Sequence, residues 1–381
     1  MDNSMLTMSD FKHKYFKDAV EIIKSSKRIL VWGDEDSDGI TSTAIMMRTL
    51  KAVGKRADYF IPSRKRDGIG ITNNGIKRIN EKEFDTVMTV DCGSVNYAEI
   101  KKIIKKNKRV IITDHHVPHD RLIAGVPYIN PHLLKNDKFS NLSGAGVAFI
   151  LSQLLLVTFK VCSDFEEAWE YDNKNLSLAA LGTKCDRVKE DSINSALLKS
   201  IKHFKRDFTV FGDVKVKEQD LCSVVATSKT AERRNMMVEI FTENNKINAD
   251  RKITHISNCL SQVNEYRKNI QTHYSKLKRA LKLNGEEKRI LLVEEDIEYK
   301  YIGVLAGILT EETGIPVCII GKRDAEFTGE CRAKNVYNWV EFLKTLKAYF
   351  VSWGGHPQAA GFTLKGEKIE LFINAFNTSI D

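Results

Sequence analysis

The sequence predicts an α/β protein with a parallel-sheet domain, a long helical connector and a smaller α/β domain at the C-terminal end. Three observations carry this. Apolar runs alternate with helical spacing through the first 200 residues, and several of them end in an aspartate. Residues 201–284 contain no proline and one glycine, Gly212. From about residue 286 the alternation resumes and closes on a glycine-rich run. Strands separated by helices favour parallel pairing. The expected domains are therefore 1–200, 201–284 and 285–381.

The elements follow in order. "RILVWGD" is an apolar strand leading into acids, and "GITSTAIMMRTLKAVG" has helical spacing closed by Gly54. "ADYFIP" is a short strand. "FDTVMTVD" and "KRVIITD" are strands ending at Asp91 and Asp114, with the helix "NYAEIKKIIKKN" between them. In the connector, the sequence reads as mostly helical from Thr230, and "VNEYRKNIQTHYSKLKRALKL" suits one long helix. In the last part, "RILLVEE", "IPVCIIG" and "FTGECRA" are strands and "IGVLAGILTEETG" is a helix. "SWGGHPQAAGF" is expected to be a glycine turn.

The 381 residues are 42% apolar and 29% charged, the balance of an ordinary globular chain. The longest apolar run, "VAFILSQLLLVTF", is too short for a membrane span and contains Ser152 and Gln153, so a buried helix is expected. The start, "MDNSMLTMSDFKHKYF", lacks the order of a signal peptide. Seven scattered cysteines without C-x-x-C spacing read as reduced core thiols of a cytoplasmic protein, not as disulfides or a zinc site. The net charge is +9, and residues 199–289 hold 20 basic against 11 acidic residues, so that window carries the whole excess. A solvated helical face and a polyanion track both fit such a window.

"GDEDSDGI" crowds Asp34, Asp36 and Asp38 after a strand, which is costly unless a cation is shared. Asp91, in "VDCGS", ends another strand before small residues. "IITDHHVP" sets His115 and His116 behind Asp114, an arrangement in which an acid can orient an imidazole ligand. "LAALGTKCDRV" ends an apolar stretch at Asp186. Ligands of parallel sheets bind outside the carboxyl ends of the strands, so Asp34, Asp91 and Asp114 are expected to converge on one edge. Oxygen donors with histidine suit Mn²⁺ or Mg²⁺.

These segments resemble, in order, the motifs of the DHH phosphoesterase family, and most closely its RecJ single-strand exonuclease branch. "GDEDSDGITS", "VDCGS", "TDHHVP" and "ALGTKCDRV" are similar to its four metal motifs. "LSGAGVAF" and "VNEYRK" are similar to further core and connector signatures. "YIGVLAGIL", "GECRA" and "GGHPQAAGF" resemble its associated C-terminal domain. "FIPSRKRDGIGI" resembles another stretch, with Ile69 where an aromatic is usual, whereas "ATSKTAERRN" matches poorly and leaves Arg233 or Arg234 to stand in. Other branches carry a histidine where this chain has Trp32, and Asp34 is an additional acid.

The resemblance implies two ions, Mn²⁺ or Mg²⁺, held by Asp34, Asp36, Asp38, Asp91, His115 and Asp186. Asp91 would bridge them, and Asp91, Asp114 and His116 would serve catalysis. Arg64, Arg332, Gly354, Gly355 and His356 would bind substrate. It further implies a metal-dependent phosphodiesterase that degrades single-stranded DNA, favoured over RNA, in the 5′ to 3′ direction. A phosphodiesterase of short oligonucleotides or cyclic dinucleotides, and an inactive replication or repair subunit, are the alternatives. Single-strand-binding or replication and repair proteins are the implied partners, with no membrane. The longer RecJ proteins carry an OB-fold module that these 381 residues are not expected to include.

Overall fold

The computed structural model describes residues 6–78, 83–243, 247–281, 287–323, 326–334 and 337–378. It divides into two compact units, Met1–Val263 and Asn264–Asp381.

The first unit is built on five parallel strands. They are β1 (Ile29–Trp32), β2 (Ala57–Phe60), β3 (Thr86–Val90), β4 (Arg109–Thr113) and β5 (Tyr128–Ile129), in the order β2-β1-β3-β4-β5. β1 and β3 are buried along their whole length, as expected where helices cover both faces. Alternate residues feed two cores. Val31, Met88 and Ile111 face the larger core, and Leu30, Trp32, Val87 and Ile112 face the smaller one. Its longer helices before residue 200 are α1 (Lys14–Ser25), α2 (Ser37–Ala52), α3 (Tyr97–Lys105), α4 (Gly144–Thr158) and α5 (Asn173–Asp186). α4 is the long apolar run read from the sequence, and it is buried from Gly144 to Leu156.

The strand order places a topological switch between β1 and β3. Connections leave in opposite directions there, so the loops after these two strands part and leave a crevice. Those loops carry Asp34 and Asp91.

The three-part division differs from the structure at residue 201. Residues 201–263 form no free connector, because Phe204, Phe208, Phe211, Val225, Phe241, Ile256 and Val263 all belong to the larger core of the first unit. This stretch holds several short helices, among them α6 (Leu221–Thr227), and a small hairpin of β6 (Thr230–Ala231) and β7 (Arg234–Asn235). The long helix is α7 (Ala249–Ala280), 32 residues or about 48 Å. Its first half packs in the first unit and Leu277 packs in the second. The expected boundary at 284–285 lies outside the described residues.

The second unit is a mixed sheet. Its strands are β8 (Ile290–Glu294), β9 (Val317–Arg323), β10 (Glu326–Arg332), β11 (Phe350–His356) and β12 (Ala359–Lys365), in the order β11-β12-β10-β9-β8. Only the β8–β9 pair is parallel. The α7 residue Leu277 and α8 (Tyr299–Thr313) share a core with Val317 and Ile319. Cys318 and Ile320, which point the other way, pack with α9 (Trp339–Thr345) and α10 (Ile369–Thr378). Gly354 and Gly355 belong to β11 and not to a turn. Gly355 has φ 139°, and a Cβ there would lie 2.4 Å from the Ala359 carbonyl oxygen.

The expectation of reduced cysteines holds for five of the seven, which are buried and unbridged. The other two correct it: Cys185 at the end of α5 is disulfide-bonded to Cys222 in α6. Nothing in a spacing of 37 residues announces that pair, whose Cα atoms only tertiary packing brings within 5.3 Å.

Candidate metal centre

Asp36, between β1 and α2, is an N-cap. Its Oδ1 accepts from the Gly39 amide at 2.9 Å, which starts α2 and aims Asp38 inward from the first turn. Asp38 is then received by the N-terminus of α4. Its Oδ2 accepts from the Gly144 amide at 2.6 Å and its Oδ1 from the Ala145 amide at 2.9 Å. This is the structural content of "LSGAGVAF". A Cβ at Gly144 would lie 2.4 Å from Asp91 Oδ1, and one at Gly182 would lie 2.5 Å from Asp38 Oδ1. Both glycines make room for carboxylates.

Asp91 follows β3 in left-handed backbone, φ 58°, which Asp tolerates better than most residues. Its Oδ1 is buried and accepts no hydrogen bond within the usual geometry, although His115 Nε2 lies 3.2 Å away. The same imidazole nitrogen is 3.9 Å from Asp38 Oδ2, and Nδ1 is 3.6 Å from Asp186 Oδ2. Two groups of ligand atoms therefore form, each within 4.8 Å: Asp38, His115 and Asp186, and Asp91, His115 and His116. Asp186 ends α5, where the helix dipole disfavours a negative charge.

The electrostatics show what these groups lack. Burial, with Asp186 next to it, pushes the Asp38 carboxyl up to about 7. Burial and then Asp38 push Asp91 well above the carboxylate range. Burial lowers His115 despite the nearby acids. No lysine or arginine ion pair reaches Asp38, Asp91 or Asp186 among the described residues. Uncompensated buried carboxylates around an imidazole fit a hard divalent cation.

Asp114 has another task. Burial alone would raise it, but it accepts from the Ser94, His115 and His116 amides and from His116 Nδ1, and these bonds hold it below the usual range. The 2.8 Å bond to Asp114 in turn lifts His116 to about 9, against its partial burial. Asn130 Nδ2 donates to Ser94 Oγ and to the His116 carbonyl, both at 2.9 Å, and fixes this loop.

Asp34 and Asp36 belong to neither ligand group. Both pair with Arg64, at 3.3 and 3.1 Å. Arg64, expected to bind substrate, thus supplies charge to these two acids, and burial and Asp36 still raise Asp34. Glu35, which no motif singled out, accepts from the Arg64 and Thr230 amides and ties three segments together. Arg234 pairs with Asp58 at 2.6 Å, and the Arg233 carbonyl accepts from Ile61, so the weakly matched "AERRN" segment buttresses β2. In the second unit, Arg332 pairs with Glu330 at 3.0 Å and His356 is exposed. Both stand opposite Ala359 on neighbouring strands, hence on one face about 10 Å apart.

Fold and site together define a two-unit α/β protein with an acid–histidine cluster at the switch point of its first sheet. The DHH family, N-terminal domain model matches residues 28–183, and the DHHA1 domain model matches residues 286–381. The chain belongs to the DHH family and is RecJ-like. It is 25% identical over 395 residues to the single-stranded-DNA-specific exonuclease RecJ of Bacillus subtilis, covering 97% of this chain and 48% of the relative. It is 27% identical to that of Thermus thermophilus, covering 95% and 52%. The chain thus spans about half the length of these relatives. Among solved structures, an exonuclease RecJ bound to manganese aligns with TM-score 0.75 at 24% identity, covering 95% of this chain and 93% of that one. RecJ of Thermus thermophilus in complex with Mn²⁺ aligns with TM-score 0.72 at 22%, covering 98% and 56%. These structures share the fold. No helix among the described residues is long and apolar enough to cross a membrane.

Proposed function

We propose that this chain is a divalent-metal-dependent phosphodiesterase, acting as an exonuclease on single-stranded DNA from the 5′ end. The observation that carries the reading is the pair of ligand groups sharing His115, in which the buried carboxylates of Asp38 and Asp91 have no lysine or arginine partner among the described residues. Asp38, Asp91, His115 and Asp186 would hold Mn²⁺ or Mg²⁺, with Asp34 and Asp36 adding negative charge nearby. Bound there, two such ions supply Lewis-acid activation of water and stabilisation of the leaving oxygen. The chain's own groups do the rest. The α4 amides keep Asp38 in place, and Asp114, bonded to Nδ1, fixes the orientation of the His116 ring beside Asp91 and His115. Arg332 and His356, on one sheet face, are suited to backbone phosphates.

The relatives' naming as single-stranded-DNA-specific exonucleases supports the substrate class. A cytoplasmic location and single-strand-binding or replication and repair partners accompany that activity. The retained acid–histidine set speaks against an inactive subunit. The test is hydrolysis of end-labelled single-stranded DNA, RNA and dinucleotides, with either end blocked, in Mn²⁺ and in Mg²⁺. Stepwise loss from a free 5′ DNA end that stops in chelator is expected. Turnover that survives chelator, or degradation confined to dinucleotides, would sink the reading.

A further inference from the structure

The edge of the first sheet opposite the acid cluster holds an open cavity of about 950 Å³, outside the N-terminal ends of β1 and β2. The length of β1 alone separates it from the acids by about 13 Å. Five cations line it: Arg28, Arg48, Lys51, Lys55 and Arg56. Its two acids are already engaged. Asp172 takes Arg48 at 2.9 Å, and Glu243 takes Arg48 at 3.4 Å and Lys174 as well. Lys55 Nζ donates to the Lys24 carbonyl at 2.5 Å. Arg28, Lys51 and Arg56 are exposed, and no carboxylate pairs with their side chains among the described residues. Tyr171 stands on the lining with half its surface open.

Like charges on a convex surface are simply solvated. In a concave wall their fields add over the enclosed space and concentrate anions there. The cavity is of ligand size. Its charge calls for more than one phosphate, and its exposed ring offers a flat face for a base. We propose that this cavity binds a nucleoside di- or triphosphate, with the phosphates on Arg28, Lys51 and Arg56 and the base against Tyr171. The site is separate from the acid cluster and does not depend on the proposed reaction.

The test is calorimetric titration of the metal-free full chain at low salt with ATP, ADP, tripolyphosphate and adenosine. ATP, ADP and tripolyphosphate should bind below about 1 mM and adenosine should not. The double variant Lys51→Ala/Arg56→Ala, at exposed positions, should weaken ATP and tripolyphosphate roughly tenfold or more. Tyr171→Ala should weaken ATP and leave tripolyphosphate unchanged. Asp91→Asn should leave all affinities unchanged, which places the ligand away from the acids. Absence of ATP binding, full affinity in the double variant, equal effects on ATP and tripolyphosphate at Tyr171, or loss of binding on Asp91→Asn each overturn the proposal.

Discussion

Asp91 is placed where a carboxylate is least stable without a cation: buried, in left-handed backbone, beside Asp38. Asn tolerates the same backbone and carries no charge. Asp91→Asn is therefore expected to leave the apoprotein as stable as the parent or more so, while greatly weakening Mn²⁺ binding and hydrolysis. Melting temperature in chelator and manganese titration check the two halves separately. A large fall in melting temperature would mean that Asp91 is structural. Asp67 shows the opposite balance. Burial would raise it, but Arg78 at 2.5 Å and the Ser63 amide hold it below the usual value. Its folded-state pKa lies below the unfolded one of about 3.9, so its stabilisation is present above that pH and is lost as pH falls through the folded value. Asp67→Asn should lower the melting temperature at pH 7, and by less at pH 3, where the carboxylate's contribution is already falling. An equal deficit at both pH values would assign the effect to packing.

At the scale of elements, α7 shows how charge counted along a chain differs from charge available in space. The basic excess of 199–289 fits either a polyanion track or a solvated face, and Lys276, Lys278 and Arg279 are part of it. In the second unit Lys276 pairs with Glu294 at 2.7 Å and with Asp296, and Lys278 pairs with Glu312. These acids lie 18 to 34 residues along the chain, so no local pattern reveals them. Lys268 and Arg279 share an open groove and have no carboxylate partner among the described residues. If the strand follows this helix, Lys268→Ala/Arg279→Ala should reduce the log–log salt slope of single-stranded DNA binding by about 1.4. Lys276→Ala/Lys278→Ala should reduce it less. Fluorescence anisotropy across a salt series distinguishes them, and equal slopes for both variants and the parent would return α7 to a solvated face.

For the whole molecule, the core inventory matters most. Each unit has its own apolar cores, and each sheet is covered on both faces within its own unit. Thermal unfolding should therefore show a calorimetric enthalpy above the van't Hoff value, with two resolvable transitions. Mn²⁺ should raise only the first unit's transition, through its preference for the folded site. A single two-state transition in scanning calorimetry would mean that the units fold as one.

The sequence by itself determined the class of the fold, the strand-end positions of Asp34, Asp91 and Asp114, the buried helix in the apolar run 147–159 and the residue types of the acid–histidine cluster. These are local properties, because periodicity, strand-terminal acids and neighbouring histidines are read within a few residues. Tertiary structure alone decided which acids share His115. The acids of "GDEDSDGI" look equivalent in one dimension. In space Asp38 is drawn into the α4 N-terminus, while Asp34 and Asp36 are paired with Arg64. Gly144 and Gly182 owe their meaning to carboxylates more than 50 and 140 residues away. The Cys185–Cys222 bridge, the absorption of 201–263 into the first core and the pairing of Lys276 and Lys278 have the same origin. Each depends on a contact between segments far apart in the chain, and such contacts are set by how the whole core packs, leaving no local pattern to read.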